Sequence, residues 1–307
     1  FCDSLIPITS KYFKAEMLLN IKANSINKRH IKLDNWWFQA LGHIIYLDTF
    51  IKAILLKVID VKKIYFANTK NCNLYLVNKY KKILKKNNLY GKKKDSFNLN
   101  IRFWNLDKYN QFSESENFQE YIQKKWRVNN DIFFNDKKEK NDFKILKKKI
   151  GIKSKIITIN IRQNDFHPFD DNANMRNADL SKTLKILDEI KSDYLFVITG
   201  NTGNQKIKRK LKNLFDYSNS KFKSKKNDFL LFNFCDAFIG GASGPAHYML
   251  TRYKPCLFTD WFPLEYSLKS DLCIIMPKVI KKNNKILSLG DINKLGIRIH
   301  YDGIQRI

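Results

Sequence analysis

Between Leu231 and Trp261 the chain reads LFNFCDAFIGGASGPAHYMLTRYKPCLFTDW, and this segment limits the fold more than any other. An apolar run of strand type, Ala237-Phe238-Ile239, meets a turn, Gly240-Gly241-Ala242-Ser243-Gly244. Pro245 then suits the first position of a helix, where its missing N–H would have been unsatisfied anyway. A second short strand is predicted at residues 255–258. Strand, glycine turn and helix start together form an anion site. Glycines let the backbone approach a ligand, free N–H groups point at it, and the helix dipole favours negative charge. The chemistry points to a phosphate or diphosphate in a large α/β protein.

The rest of the second half repeats the theme. Strands are predicted at residues 155–162, 194–199 and 273–276. Helices are predicted at 179–191, capped by Asp179 or Ser181, and at 205–215, a basic stretch. Strands alternating with helices give a parallel sheet with right-handed crossovers, a Rossmann-like domain. The first half alternates too. An amphipathic run at 44–59 precedes a strand at 62–67, a Lys-rich helix at 74–86, a strand-like stretch at 97–104 and a helix at 116–126. The first 30 residues show no period. Residues 129–149 are charged and read as a linker, with a helix over 143–150 that stops at Gly151. A length of 307 residues fits two domains, divided as 1–142 and 143–307. The fold expected is α/β, with two Rossmann-like domains whose parallel sheets face across a cleft.

In parallel sheets, ligands bind beyond the carboxyl ends of the strands. Three predicted strand ends are polar or glycine-rich: Asn160-Ile161-Arg162, Thr199-Gly200-Asn201 and Gly240 to Gly244. Arg162 stands out because arginine is scarce here and a guanidinium clamps a diphosphate through paired hydrogen bonds. Its alternative is a surface ion pair, and the alternative for the glycine loop is a plain tight turn. Arg176-Asn177-Ala178-Asp179 closes the loop after the first strand, where Arg176 is placed to reach a second phosphate. Asp165 and His167 offer acid–base groups in that loop. His43 follows Gly42 at a helix start, a setting that lowers a histidine pKa and suits a general base; the alternative is a structural histidine. His247 lies in the first turn after the glycine loop, there to meet a phosphate or fill the helix–sheet interface.

Other classes are disfavoured. No P-loop, HExxH or GxSxG is present, and the absence of GxGxxG argues against a nicotinamide or flavin cofactor. No acidic pair sits at a strand end, so no metal is expected; Asp170-Asp171 reads as solvated. Five widely spaced cysteines without a CxxC pair exclude a disulfide framework and point to a reducing compartment. The apolar stretch 43–59 is interrupted by Asp48, Lys52 and Lys57 and is too short to span a bilayer. The net charge of +28 comes mainly from lysine and accompanies abundant Asn and Ile, as AT-rich codons would produce. It also fits peripheral contact with an anionic membrane or a polyanionic substrate. Nucleic acid is disfavoured, because no nucleic-acid-binding motif is visible. The chain begins with Phe1, not Met, which reads as a truncated start or a fragment.

The combination of Ala-Leu-Gly-His-Ile (Ala40 to Ile44), Asn-Ile-Arg (Asn160 to Arg162), Arg-Asn-Ala-Asp (Arg176 to Asp179) and FIGGASGP with its later Lys-Pro resembles a family of bacterial GT-B glycosyltransferases. That family is associated with surface-polysaccharide and O-antigen gene sets and is similar to heptosyltransferases and fucosyltransferase-like enzymes. The resemblance covers roughly residues 42–261. It implies a nucleotide sugar as co-substrate, with no further cofactor, and a saccharide or lipid-linked acceptor. Arg162, Gly241, Ala242, Ser243, Gly244 and His247 would then hold the donor diphosphate. Asn160, Arg176, Asn177, Gly200 and Asn201 would hold the donor sugar and nucleotide, and His43 or Asp165 would be the base. The strand end reads Asn-Ile-Arg-Gln-Asn-Asp rather than the His-x-Arg-Arg or Arg-x-Gly-Asp of the fucosyltransferase pattern, so the donor sugar is open. The expected location is the cytoplasm, with contact at the inner membrane face. The rival readings are an epimerase acting on a nucleotide sugar and a non-catalytic polyanion binder.

Overall fold

The computed structural model describes residues 29–67, 73–91, 97–99, 111–130, 133–152, 154–162, 176–190, 193–202, 207, 211–262 and 270–294. The chain forms two compact units. The first is Phe1–Asn135 with Leu250–Tyr253 and Leu268–Ser270; the second is Asp136–Met249, Lys254–Ser267 and Asp271–Ile307.

The first unit contains β1 (Arg29–Leu33), α1 (Trp36–Gln39), a 3-10 turn (Leu41–His43), α2 (Ile44–Leu55), β2 (Val61–Phe66), α3 (Leu74–Lys86), β3 (Phe97–Leu99) and α4 (Gln111–Asn129). Its sheet runs β2-β1-β3, all parallel. The central strand β1 was invisible in the sequence. Only Ile31 and Leu33 of Arg-His-Ile-Lys-Leu are buried apolar residues, and basic residues alternate with them. The cap of α3 is Asn73, whose side chain accepts from the Leu76 N–H at 3.0 Å.

Helix α2 is buried on nearly every side, Asp48, Thr49 and Lys52 included. A helix buried all round must pair any charge it carries, since an isolated buried ion is too costly. Asp48 meets that demand with four donors. Lys52 Nζ lies at 2.6 Å, Gln123 Nε2 at 3.0 Å, Tyr80 Oη at 2.7 Å and Arg252 Nη2 at 3.0 Å. Lys52 also donates to Gln123 Oε1 at 2.7 Å, and Arg252 to the Phe133 carbonyl at 2.7 Å. Burial opposes ionisation of Asp48, but Lys52 and Arg252 outweigh it and hold the carboxyl below its usual range. Burial pushes the Lys52 ammonium down to about 8, with Asp48 opposing that shift. Of the charges that interrupt the apolar stretch 43–59, Asp48 and Lys52 are therefore core residues, while Lys57 is exposed beyond the end of the helix.

The second unit opens with α5 (Lys137–Lys149), followed by β4 (Ile156–Arg162), α6 (Leu180–Glu189), β5 (Leu195–Asn201), β6 (Leu214–Asp216), α7 (Lys225–Phe234), β7 (Ala237–Gly240), α8 (Gly244–Leu250), β8 (Cys256–Trp261), β9 (Cys273–Pro277), β10 (Lys281–Lys282), β11 (Lys285–Ile286) and α9 (Leu289–Lys294). Two expectations need correction. Most of the stretch read as a linker is helix α5, because Asp136 caps it by accepting from the Glu139 N–H at 2.9 Å. Its end was legible: Gly151 (φ +72°) donates to the Lys148 carbonyl and Ile152 to that of Lys147, a Schellman closure. The predicted basic helix at 205–215 gives way at its end to β6. There Leu214 and Phe215 pair with Phe196 and Val197, and sheet hydrogen bonds override the local lysine periodicity. Residues 205, 206 and 208–210 of that predicted helix lie outside the described residues.

The main sheet has six parallel strands in the order β6-β5-β4-β7-β8-β9. Ile159, Ile161, Phe196 and Ile198 pack with Leu180 and Leu187 of α6 to form the core beneath it. Numbered within this unit, the order is 3-2-1-4-5-6, so the chain winds outward first to one side of β4 and then to the other side, beyond β7. That reversal opens a crevice at the carboxyl ends of β4 and β7.

Candidate functional site

Two of the three predicted strand ends border this crevice directly. Asn160 and Gly240 are register partners on β4 and β7, and Arg162 is in register with Asn201 on β5. Asn160 Nδ2 donates to Ser243 Oγ at 3.2 Å across the crevice. Asn160 is 3% exposed, and its Oδ1 has no hydrogen-bond partner among the described residues. A buried acceptor left in that state is a cost that a bound donor group removes. Arg162 follows two positions along β4, on the same face. Its carbonyl accepts from the Ala178 N–H at 3.0 Å, which brings the 176–179 segment back to the strand end.

Arg176 is half-buried and donates from Nε to the Ala242 carbonyl at 2.9 Å. That single bond ties the two loops together, and its terminal nitrogens make no further hydrogen bond among the described residues. The amides of Ala242, Ser243 and Gly244 donate to no described residue, as the orphan N–H groups of a helix start should. Helix α8 has only seven residues, so these local N–H groups, more than a macrodipole, provide the positive potential. His247 lies in α8. Its backbone N–H donates to the Ser243 carbonyl at 3.2 Å, and its ring sits 5.8 Å from that of the buried Trp261. It therefore helps fill the interface between helix and sheet.

Gly200 has a structural reason to be glycine. At φ +90°, a Cβ there would run into the Ile161 carbonyl and lie 2.8 Å from Asn160 Oδ1. Asn177 accepts through its carbonyl from Lys278 Nζ at 3.0 Å. Lys278 follows β9, and its own N–H donates to the Trp261 carbonyl at 3.0 Å. Burial lowers the Lys278 pKa. Sequence reasoning missed this cation beside the 176–179 loop, because one lysine carries no signal in a chain with 57 Lys and Arg. Asp179 is the cap of α6, accepting from the Lys182 N–H at 3.1 Å, and that bond holds its carboxyl below the usual range. Asp165 and His167 lie outside the described residues.

In the first unit, His43 ends the 3-10 turn and serves as N-cap residue of α2, the longer helix between β1 and β2. Its ring stacks on Trp36, with centroids 3.7 Å apart at 10°. Nδ1 lies 2.6 Å from the Trp36 carbonyl, which only accepts, so Nδ1 carries the proton. In the neutral ring, Nε2 then has the free lone pair. Burial lowers the pKa, with the Trp36 carbonyl opposing the shift. His43 thus has the protonation pattern of a base.

Among the described residues, no group of three or more His, Cys, Asp and Glu side chains could hold a metal ion. No helix among them is long and apolar enough to cross a membrane.

An open parallel sheet in this order, with polar strand ends at its switch point, belongs to the doubly wound, Rossmann-like class of α/β folds. The chain is similar to the crystal structure of the glycosyl transferase family 9 protein from Veillonella parvula DSM 2008. The TM-score is 0.51 and the identity 13%, over 88% of this chain and 92% of that one. The likeness is one of fold, and it agrees with the GT-B-like α/β class expected from the sequence. No family model matches the chain, and no curated protein does.

Proposed function

We propose that this chain is a glycosyltransferase moving a sugar from a nucleotide-activated donor to a saccharide or lipid-linked acceptor, in the synthesis of a surface polysaccharide. The observation that carries the reading is the switch point of the second unit. Among the described residues, the amides of Ala242, Ser243 and Gly244 donate to nothing, the Ser243 hydroxyl accepts from the buried Asn160 whose Oδ1 has no partner, and the Arg176 guanidinium has donors to spare. This set fits a diphosphate. Its oxygens take the N–H groups of Ala242, Ser243 and Gly244, while Arg162 and Arg176 match its charge. Gly241 lets the backbone approach, and His247 holds the turn in place. Asn160 Oδ1 accepts from a hydroxyl of the sugar or ribose, with Asn177, Gly200 and Asn201 shaping the same wall.

In the transfer, the acceptor oxygen bonds to the anomeric carbon as the bond from that carbon to the diphosphate oxygen breaks. Negative charge grows on the leaving diphosphate, and donors fixed in advance stabilise it without reorganising. The arginines and amides supply the charge that a metal would otherwise supply. The proton of the acceptor hydroxyl goes to His43 Nε2; Asp165 is the second candidate. The fold likeness to a glycosyl transferase family 9 protein supports the class.

A thermal-shift screen with UDP, GDP, CDP and ADP tests the reading. One nucleotide should raise the melting temperature of the wild type, and Arg162→Ala should blunt that response. If no nucleotide stabilises the protein, the proposal fails. An undiminished response in the variant would remove Arg162 from the site.

A further inference from the structure

Large apolar side chains exposed on this protein are not evenly spread. Of the nine among the described residues, four fall within residues 274–286: Ile274 (68% exposed), Met276 (53%), Val279 (64%) and Ile286 (60%). Ile274 and Met276 alternate along β9, the last strand of the sheet order, and so share one face. Pro277 ends that strand. Four residues later the chain enters the β10–β11 hairpin, where Lys281 opposes Ile286 and Lys282 opposes Lys285. Asn283 and Asn284 form its turn at φ +49° and +62°, the backbone signature of a tight two-residue hairpin loop. Lys281, Lys282 and Lys285 are all exposed. No acidic residue occurs from position 272 to 290.

We propose that strand β9 and the β10–β11 hairpin form a docking surface for an anionic lipid bilayer. The charge pattern selects this occupant. A second copy of the chain would bring its own Lys281, Lys282 and Lys285 against the same lysines, and like charges facing each other are unfavourable. A negatively charged surface attracts all three: Lys281 lies on the hairpin face that carries Ile286, and Lys282 and Lys285, paired on the other face, reach the headgroups by their long flexible stems. Val279 and Ile286 then enter the boundary between headgroups and acyl chains, where apolar side chains flanked by lysine are stabilised without a shaped pocket. Pro277 and the short hairpin strands discourage pairing with a foreign strand. The surface is argued independently of the donor site, and its test uses no nucleotide, so its failure would leave the glycosyltransferase reading intact.

Co-sedimentation with vesicles of phosphatidylcholine alone, and of phosphatidylcholine mixed with phosphatidylglycerol, tests the proposal. The wild type should bind the mixed vesicles only. Each lysine near an anionic surface contributes about fivefold, so Lys281→Ser, Lys282→Ser and Lys285→Ser combined should weaken binding on the order of a hundredfold. Val279→Ser and Ile286→Ser should each cost about tenfold. All these positions are exposed, and the melting temperature should stay unchanged. A control replacing the exposed Lys138, Lys140 and Lys148 of α5 with serine should bind nearly as the wild type. With Ile286→Trp, brominated lipids should quench the new tryptophan. The proposal is overturned if the wild type ignores anionic vesicles, or if the α5 control loses as much as the hairpin variant. It also falls if Val279→Ser and Ile286→Ser abolish a dimer, seen by sedimentation equilibrium, while vesicle binding persists.

Discussion

Replacing Asp48 with asparagine should be among the most destabilising single changes in the first unit, although the side chains are nearly isosteric. In the wild type one carboxylate offsets two buried cations, Lys52 and Arg252, with all three side chains at most 1% exposed. Without it, both cations remain in a low-dielectric interior and lose the carboxylate charge they share. The amide NH2 of asparagine also faces donors, because all four Asp48 partners donate to it. Breaking a buried ion pair on one side costs about 3–5 kcal/mol, a large part of the total stability of an ordinary domain, which is about 5–15 kcal/mol. Lys52→Met makes the opposite prediction. It leaves a one-to-one pair of Asp48 and Arg252, keeps the apolar stem among Trp126, Phe133 and Tyr253, and should be neutral or stabilising. The pH dependence separates the two further. Lys52 has a folded pKa of about 8 against an ordinary 10.5, so between those values the unfolded chain binds more protons. Wild-type stability should therefore rise with pH across that window, and Lys52→Met should lack this rise. Urea unfolding followed by tryptophan fluorescence, at several pH values, measures both effects. A loss below about 1 kcal/mol for Asp48→Asn, or equal destabilisation by both variants, would refute the reasoning.

Other consequences concern the site. His43→Gln should lower kcat by about a hundredfold or more while leaving nucleotide affinity unchanged. Because the His43 pKa is lowered, the acid limb of the wild-type kcat profile should lie below the ordinary histidine value of 6.5, with activity falling as the pH drops through it. Gly200→Ala forces a Cβ against β4 at a positive φ and should cost about 2 kcal/mol or more in thermal unfolding. It should also weaken nucleotide binding by displacing Asn160. Incubation with EDTA should leave the transfer rate unchanged; a loss restored by a divalent ion would contradict a charge balance built on arginines and amides.

What the sequence revealed depended on how local each signal was. The β7–turn–α8 unit was legible because apolar run, glycines and proline stand next to one another. Helix α3 was legible too, from Leu74 to Lys86, because its amphipathic period and Asn73 cap lie within one short window. Strand β1 was missed because two apolar residues among three basic ones make no run, and its burial is supplied by neighbours on both sides. Strand β6 was missed because three residues cannot outvote the lysine periodicity before them. The Asp48 network was beyond reach, since its partner Arg252 is 204 residues away and distant contacts leave no mark on local composition. At the site, Arg162, Ser243 and Gly200 could be proposed from strand-end chemistry alone. The contact of Asn160 with Ser243, and the place of Lys278, arise only from the order of the strands.

The central claim is that the crevice between β4 and β7 holds the diphosphate of a nucleotide sugar. Isothermal titration of the nucleoside diphosphate that stabilises the protein most, into wild type and Arg176→Ala, tests it directly. A hydrogen bond to a charged group contributes about 1.5–3 kcal/mol, so the variant should bind about ten- to a hundredfold more weakly. The corresponding nucleoside without phosphates should bind both proteins equally poorly. If the nucleoside binds as tightly as the diphosphate, or the variant matches the wild type, the crevice is not a diphosphate site.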